Sequence, residues 1–235
     1  MVNGCVGREV CMSTINIAID GPAGAGKSTV AKAVAEKMNI KYLDTGAMYR
    51  GIAMFVFRCG AEPTDASAVE KLLPDADIRV IYNEKGQRIL LKDEDVTDGL
   101  RTPQLSKGAS DVSAHPCVRL RLTEMQRRVA CEYDVVMDGR DIGTNVLKDT
   151  PDKFFLTADT SVRAQRRYAE LIQKGVKADL DEVEREMVQR DYNDSHRAFM
   201  PLKQAEDAVL IDTSFMTPDE VTEKIVAAVK ERHSL

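Results

Sequence analysis

The chain has 235 residues, 43% hydrophobic and 30% charged, which is enough for one substantial core with a smaller appended lobe. A net charge of -5 excludes a sequence-independent nucleic-acid binder, which needs a basic face, and no apolar run approaches the ~20 residues of a membrane-spanning helix. Cysteines at 5, 11, 59, 117 and 131 form no Cys-x-x-Cys pair and His115, His196 and His233 stand apart, so reduced thiols, no zinc and a cytoplasmic location are expected.

Residues 1–14, "MVNGCVGREVCMST", hold one basic and one acidic residue, no apolar core of a secretory signal and few large apolar side chains. A disordered extension is expected there, with Met12 a candidate natural start. The apolar run "INIAID" (15–20) predicts a strand and leads into Gly21, Pro22, Ala23, Gly24, Ala25, Gly26, Lys27, Ser28 and Thr29, with the spacing G-x-x-x-x-G-K-S. Phosphate oxygens need several donors at close range, and backbone N–H groups in a glycine loop supply them where no Cβ blocks the approach. The loop opens a helix in which Val30, Ala33, Val34 and Lys37 follow an i, i+3, i+4, i+7 track, and its N-terminus favours an anion. Lys27 is placed to reach β- and γ-phosphates and Ser28 to ligate Mg²⁺.

"KYLD" (41–44) predicts the next strand and "TGAMYRGIA" (45–53) the next helix; structurally, Thr45 would serve as its N-cap and Arg50 as a surface cation. Residues 63–100 break the strand–helix alternation. There "IRVIY" and "RILLK" flank "NEKGQ", the pattern of a β-hairpin with a glycine-containing turn, and helices follow in 103–115 and from Pro116. Residues 62–115 are therefore expected to form an inserted lobe, on a core of 15–61 and 116–235. "DVVMD" (134–138) ends in Asp138-Gly139-Arg140-Asp141, and at such a strand end an aspartate can hold an Mg²⁺-bound water. After strands at "KFFLT" (153–157) and "AVLID" (208–212), the alternation predicts a parallel sheet covered on both faces. The charged helices of 160–199 carry Arg163, Arg166, Arg167, Arg185, Arg190 and Arg197, with "IQKGVKADL" as the tip of a helical hairpin. Arg190, Asp194 and Arg197 recur at i, i+4, i+7, one face with two cations around a carboxylate. By charge pattern alone the same residues suit a solvated face laced with ion pairs.

"GPAGAGKST", "LDTGAMYR", "MDGRDIGT", "RRYAEL" and "RDYNDSHRAFMPL", in this order, resemble the bacterial cytidylate kinases over residues 15–232. The resemblance implies an α/β P-loop fold with a central parallel sheet, an inserted nucleotide-monophosphate-binding lobe bearing a small antiparallel sheet, and a short helical lid at about 160–197. It implies phosphoryl transfer from ATP, with Mg²⁺, to CMP or dCMP by a monomer without nucleic-acid or membrane partners. Carried over by position, Gly21 to Thr29 hold the ATP phosphates, and Ser28 with Asp138 the metal. Thr45, Arg50, Ser110, Arg119, Arg140, Asp141, Arg190, Asp194 and Arg197 line the acceptor site. Lys27, Arg140 and the lid residues Arg163 and Arg167 serve the transfer. Two departures from the family are Lys-Ser, where some members have Lys-Gly, and the first fourteen residues, which have no counterpart. The rival readings are another small-molecule P-loop kinase, acting on AMP or shikimate, and a nucleotide-dependent switch without turnover; no N-K-x-D signature of a GTPase occurs.

Overall fold

The computed structural model describes residues 15–235, so the expectation for 1–14 lies outside the described residues. Five parallel strands, β1 (Asn16–Asp20), β2 (Lys41–Asp44), β6 (Val135–Gly139), β7 (Asp152–Thr157) and β8 (Val209–Asp212), form the central sheet in the order β2-β6-β1-β7-β8. Each matches an expected apolar run to within a residue or two. Because successive side chains point to opposite faces, β1, β2 and β6 feed two cores. Ile17, Ile19 and Val136 join Phe154, Ile211 and the apolar stripes of α1 (Lys27–Met38) and α8 (Pro218–His233). Ala18, Val135 and Met137 face the other way, onto α2 (Thr45–Arg58) and α5 (Pro116–Glu132).

The second core extends into the inserted segment. Ile78, Ile89, Leu91, Leu100, Leu105 and Val112 pack in one cluster with Met48, Ile52 and Val56 of α2. The expected hairpin is present as β3 (Ile78–Asn83) and β4 (Gly86–Leu91), where Asn83 pairs with Gly86 and leaves Glu84 and Lys85 as the loop. The two-residue strand β5 (Glu94–Asp95) completes a small antiparallel sheet. Helices α3 (Ala66–Leu72) and α4 (Pro103–Val112) flank it. Gln87 ties this sheet to the core: the Asp44 N–H donates to Gln87 Oε1 at 2.6 Å, and Gln87 Nε2 donates to the Asp44 carbonyl at 3.2 Å.

Helices α6 (Thr160–Gln173) and α7 (Leu180–His196) form the charged hairpin, with Gly175 at its tip in the left-handed region (φ 73°). Arg197 caps α7 in extended conformation (φ -63°, ψ 141°), so it does not continue the helical face shared by Arg190 and Asp194. The expectation of reduced thiols needs correction: Cys59 and Cys117 are free, whereas Cys131 is disulfide-bonded. Spacing along the chain carries no information on which thiols folding brings within bonding distance. Among the described residues no helix is long and apolar enough to cross a membrane.

Candidate active site

The carboxyl ends of β1, β2 and β6 lie side by side and bring three aspartates together: Asp20 and Asp44 end their strands, and Asp138 stands one residue before the end of β6. Gly21 follows Asp20 with φ 144°, and a Cβ there would stand 2.0 Å from the Leu156 carbonyl oxygen, so only glycine lets the loop leave the sheet at this angle. Gly24 and Gly26 also adopt positive φ, 75° and 85°, turning the backbone over the N-terminus of α1. Lys27 reaches back across the loop and donates from Nζ to the Pro22 carbonyl at 2.6 Å. Burial, with Arg140 next in effect, pushes the Lys27 ammonium well below its usual range, against the pull of Asp138. A polyphosphate in the loop would reverse that shift.

Ser28 Oγ donates to Asp138 Oδ2 at 2.7 Å, and the Tyr42 hydroxyl donates to Oδ1 at 2.8 Å. Burial raises the Asp138 carboxyl, and Asp44 beside it adds to the effect. A hydroxyl and a carboxylate in contact at the loop are hard oxygen donors. Among the described residues no three carboxylates, histidines or cysteines converge to cage an ion. That set fits Mg²⁺, which keeps much of its water and is completed by substrate phosphate oxygens.

Opposite the loop stands a cluster of arginines. Asp44, not Thr45, caps α2: its Oδ1 accepts from the Ala47 N–H at 2.9 Å, while Oδ2 accepts from Arg50 at 2.8 Å and Arg101 at 3.1 Å. The Thr45 hydroxyl donates instead to the Asp138 carbonyl at 2.7 Å, tying α2 to the end of β6. Arg140 Nε donates to Asp194 at 2.9 Å, and Arg197 lies 3.6 Å from Asp194 and 3.5 Å from Asp141. Arg119, only 2% exposed, donates to Asp141 at 2.6 Å and lies over the Tyr49 ring. Arg190 is different. Arg50 and Arg119 share with it a buried Nε without a hydrogen-bond partner, but each is paired with a carboxylate, whereas Arg190 makes no hydrogen bond or ion pair among the described residues. Burial together with Arg140, Arg50 and Arg167 lowers its guanidinium to about 10. Cations gathered so closely need an anion between them.

One cavity of about 940 Å³ joins the two sides. Every residue expected to serve a site lines it except Gly21, Pro22 and Arg163. Arg163 lies behind the loop, where its donors go to the Ala158 carbonyl (2.9 Å), the Ala23 carbonyl (3.0 Å), Thr160 Oγ1 (2.9 Å) and the Asp191 carboxylate. Arg166 reaches the cavity wall instead, bound to Thr213, and Arg167 pairs with Glu170 as the helical spacing suggests. Sequence reasoning also passed over Asp20. Its carboxylate accepts from the Ile142 and Gly143 N–H groups at 2.8 and 2.7 Å and holds the short π-helix Ile142–Val146 that follows Asp141. Burial pushes the Asp20 carboxyl up to about 7 against these two bonds. Arg101 was missed as well, since only the folded chain brings it to Asp44, 57 positions away.

The family pattern described as cytidylate kinase matches residues 17–231. The cytidylate kinase of Carboxydothermus hydrogenoformans is 45% identical over 221 residues, spanning 94% of this chain and 100% of that protein. That of Halalkalibacterium halodurans is 46% identical with the same coverage. Among solved structures, an uncharacterized protein from Eubacterium ventriosum aligns with a TM-score of 0.52 and 17% identity over 92% of this chain and 99% of that one, a likeness of fold alone. With a match that runs from β1 into α8 and takes in both walls of the cavity, the chain belongs to the cytidylate kinase family.

Proposed function

We propose that this chain transfers the γ-phosphoryl group of ATP to CMP or dCMP, releasing ADP and CDP or dCDP. The observation that carries the reading is the unpartnered Arg190, ringed by Arg50, Arg140 and Arg167 across the cavity from the P-loop. A nucleotide-dependent switch needs one anion site; this cavity has the makings of two.

The acceptor phosphate has a second pKa of about 6 and is already mostly dianionic at neutral pH, so no protein base is required. The residues must instead bring two anions together and absorb charge on the moving group. Lys27 and the loop amides bind the donor phosphates, and Arg50, Arg140 and Arg190 hold the acceptor phosphate in line. Ser28, and Asp138 through water, would hold Mg²⁺, which would supply neutralisation of the phosphate charge. Arg167, and Arg166 beside it, approach the donor from α6. Cytosine is read by Asp141, accepting from the exocyclic N4 amine, and by Arg119, donating to N3 and O2, with Ser110 assisting. Asp194 serves a ribose hydroxyl while it orients Arg140 and Arg197. Residues 62–115 and the helices of 160–197 act as closing lobes that exclude water, the competing acceptor. The chain works as a monomer in the cytoplasm.

The direct test incubates the protein with Mg-ATP and CMP, dCMP, UMP, AMP or shikimate in turn and follows ADP release. Acceleration by CMP and dCMP well above the other three is expected. Acceleration by AMP or shikimate instead would assign another small-molecule kinase, and no acceptor dependence at all would leave a switch.

A further inference from the structure

The first turn of the P-loop is held from behind. The peptide group of Ala23 is tied on both sides by a pair of residues from the helical hairpin: Asp191 Oδ1 accepts from the Ala23 N–H at 3.3 Å, and Arg163 Nη1 donates to the Ala23 carbonyl at 3.0 Å. The two side chains are ion-paired to each other, and Arg163 is only 6% exposed. Arg163 is in turn fixed by the Ala158 carbonyl at the end of β7 and by Thr160 Oγ1. The fit is close at the next residue too. A Cβ on Gly24 would stand 2.8 Å from Met187 Cε, 3.0 Å from Arg163 Cβ and 3.1 Å from the Arg163 carbonyl. Ala23 packs on the small cluster of Ala164, Val183 and Met187 that joins α6 to α7.

These contacts take four of the five N–H donors of Arg163, leaving one on Nη2, and the side chain does not line the cavity. We propose that Arg163 and Asp191 are positioning residues that clamp the Ala23 peptide and preset the P-loop for the donor phosphates. The proposal builds on the kinase reading only in taking ATP as the loop's ligand. The physical reason is orientation. A glycine loop with three positive-φ residues has many accessible shapes, and fixing one of its peptide planes removes conformational freedom that phosphate binding would otherwise have to overcome. A charged pair can do this without occupying the phosphate cradle, because it lies on the loop's outer side. Asp191 also follows Arg190 directly on α7, so the same turn of helix carries an arginine for the acceptor side and the clamp for the donor side.

The test is calorimetric titration of the free enzyme with the non-hydrolysable analogue AMPPNP, and separately with CMP, for Arg163→Ala and the milder Asp191→Asn. AMPPNP binding is expected to weaken about 10-fold or more in Arg163→Ala and several-fold in Asp191→Asn, as charged hydrogen bonds are lost. The dissociation constant for CMP should stay within twofold of the parent, and KM for ATP should rise far more than kcat falls. Unchanged AMPPNP affinity in folded Asp191→Asn would overturn the clamp. So would a large loss of kcat in Arg163→Ala with normal AMPPNP affinity, which would make Arg163 a ligand of the transferred phosphoryl group. Equal weakening toward AMPPNP and CMP with a lowered Tm would mark general destabilisation and overturn it as well. A failure of the kinase reading is a separate result, visible as absent CMP binding in the parent protein.

Discussion

Lys27 shows what a local motif can and cannot reveal about one residue. Its place after two loop glycines was readable from spacing, but its burial and its bond to the Pro22 carbonyl were not. Lys27→Ala is expected to cost at least ~100-fold in turnover with the fold intact, as for loss of a major transition-state donor; steady-state kinetics with a melting curve checks both halves. Asp141, proposed above to read the base, neutralises the buried Arg119. Asp141→Ala should therefore lower Tm, and should also narrow the preference for CMP over UMP in kcat/KM by about 1–3 kcal/mol. Lost stability affects both substrates alike, so the ratio isolates base reading; an unchanged ratio would remove Asp141 from it. Asp20 was invisible to sequence reasoning since its partners lie more than a hundred positions away. Its carboxyl titrates at about 7 in the fold, against about 3.9 in an unfolded chain. The folded state thus keeps a proton through a range where the unfolded state has lost it. Asp20 contributes most stability below about pH 4, and that contribution declines as pH rises toward 7. Measured across pH 4–7, the stability of the parent relative to Asp20→Asn should fall with rising pH, whereas a flat difference would contradict the shift.

Secondary structure was readable wherever hydrophobic periodicity was strong. The five central strands and the hairpin each show as short apolar runs bounded by polar or glycine residues, and Pro116 marks the start of α5. Helices α3 and α8 were passed over, and two further features, β5 and the end of α7, escaped because nothing local marks them. β5 is two residues long and exists only by pairing with β4, and α7 stops before Arg197 without a glycine to signal the end. The clasp on the last helix is likewise tertiary. Asp152, at the start of β7 and fully buried, accepts from Arg232 at 3.0 Å and His233 at 2.6 Å and so pins the end of α8 to the edge opposite the cavity. Asp152→Ala should destabilise by roughly 1–3 kcal/mol as these bonds are lost. Denaturant unfolding measures the loss, and kcat and both KM values should remain those of the parent.

The whole molecule depends on how the chain orders its strands. With β6 between β1 and β2, the P-loop, Asp138 and Arg50 of α2 converge on one edge of the sheet, where ligands bind in open α/β folds. The class of sheet was readable from alternating strands and helices, and most of the site came from motifs in that order. The strand order, the shared cavity and the burial of Arg163 behind the loop were not, since they depend on contacts between distant segments that one sequence does not record. The most direct measurement of the proposed transfer is ³¹P NMR of Mg-ATP with the enzyme, with and without equimolar CMP. The account predicts that the β-phosphorus resonance of CDP grows in step with ADP, with little inorganic phosphate in either sample. Growth of ADP and inorganic phosphate at the same rate with and without CMP, and no CDP signal, would contradict it.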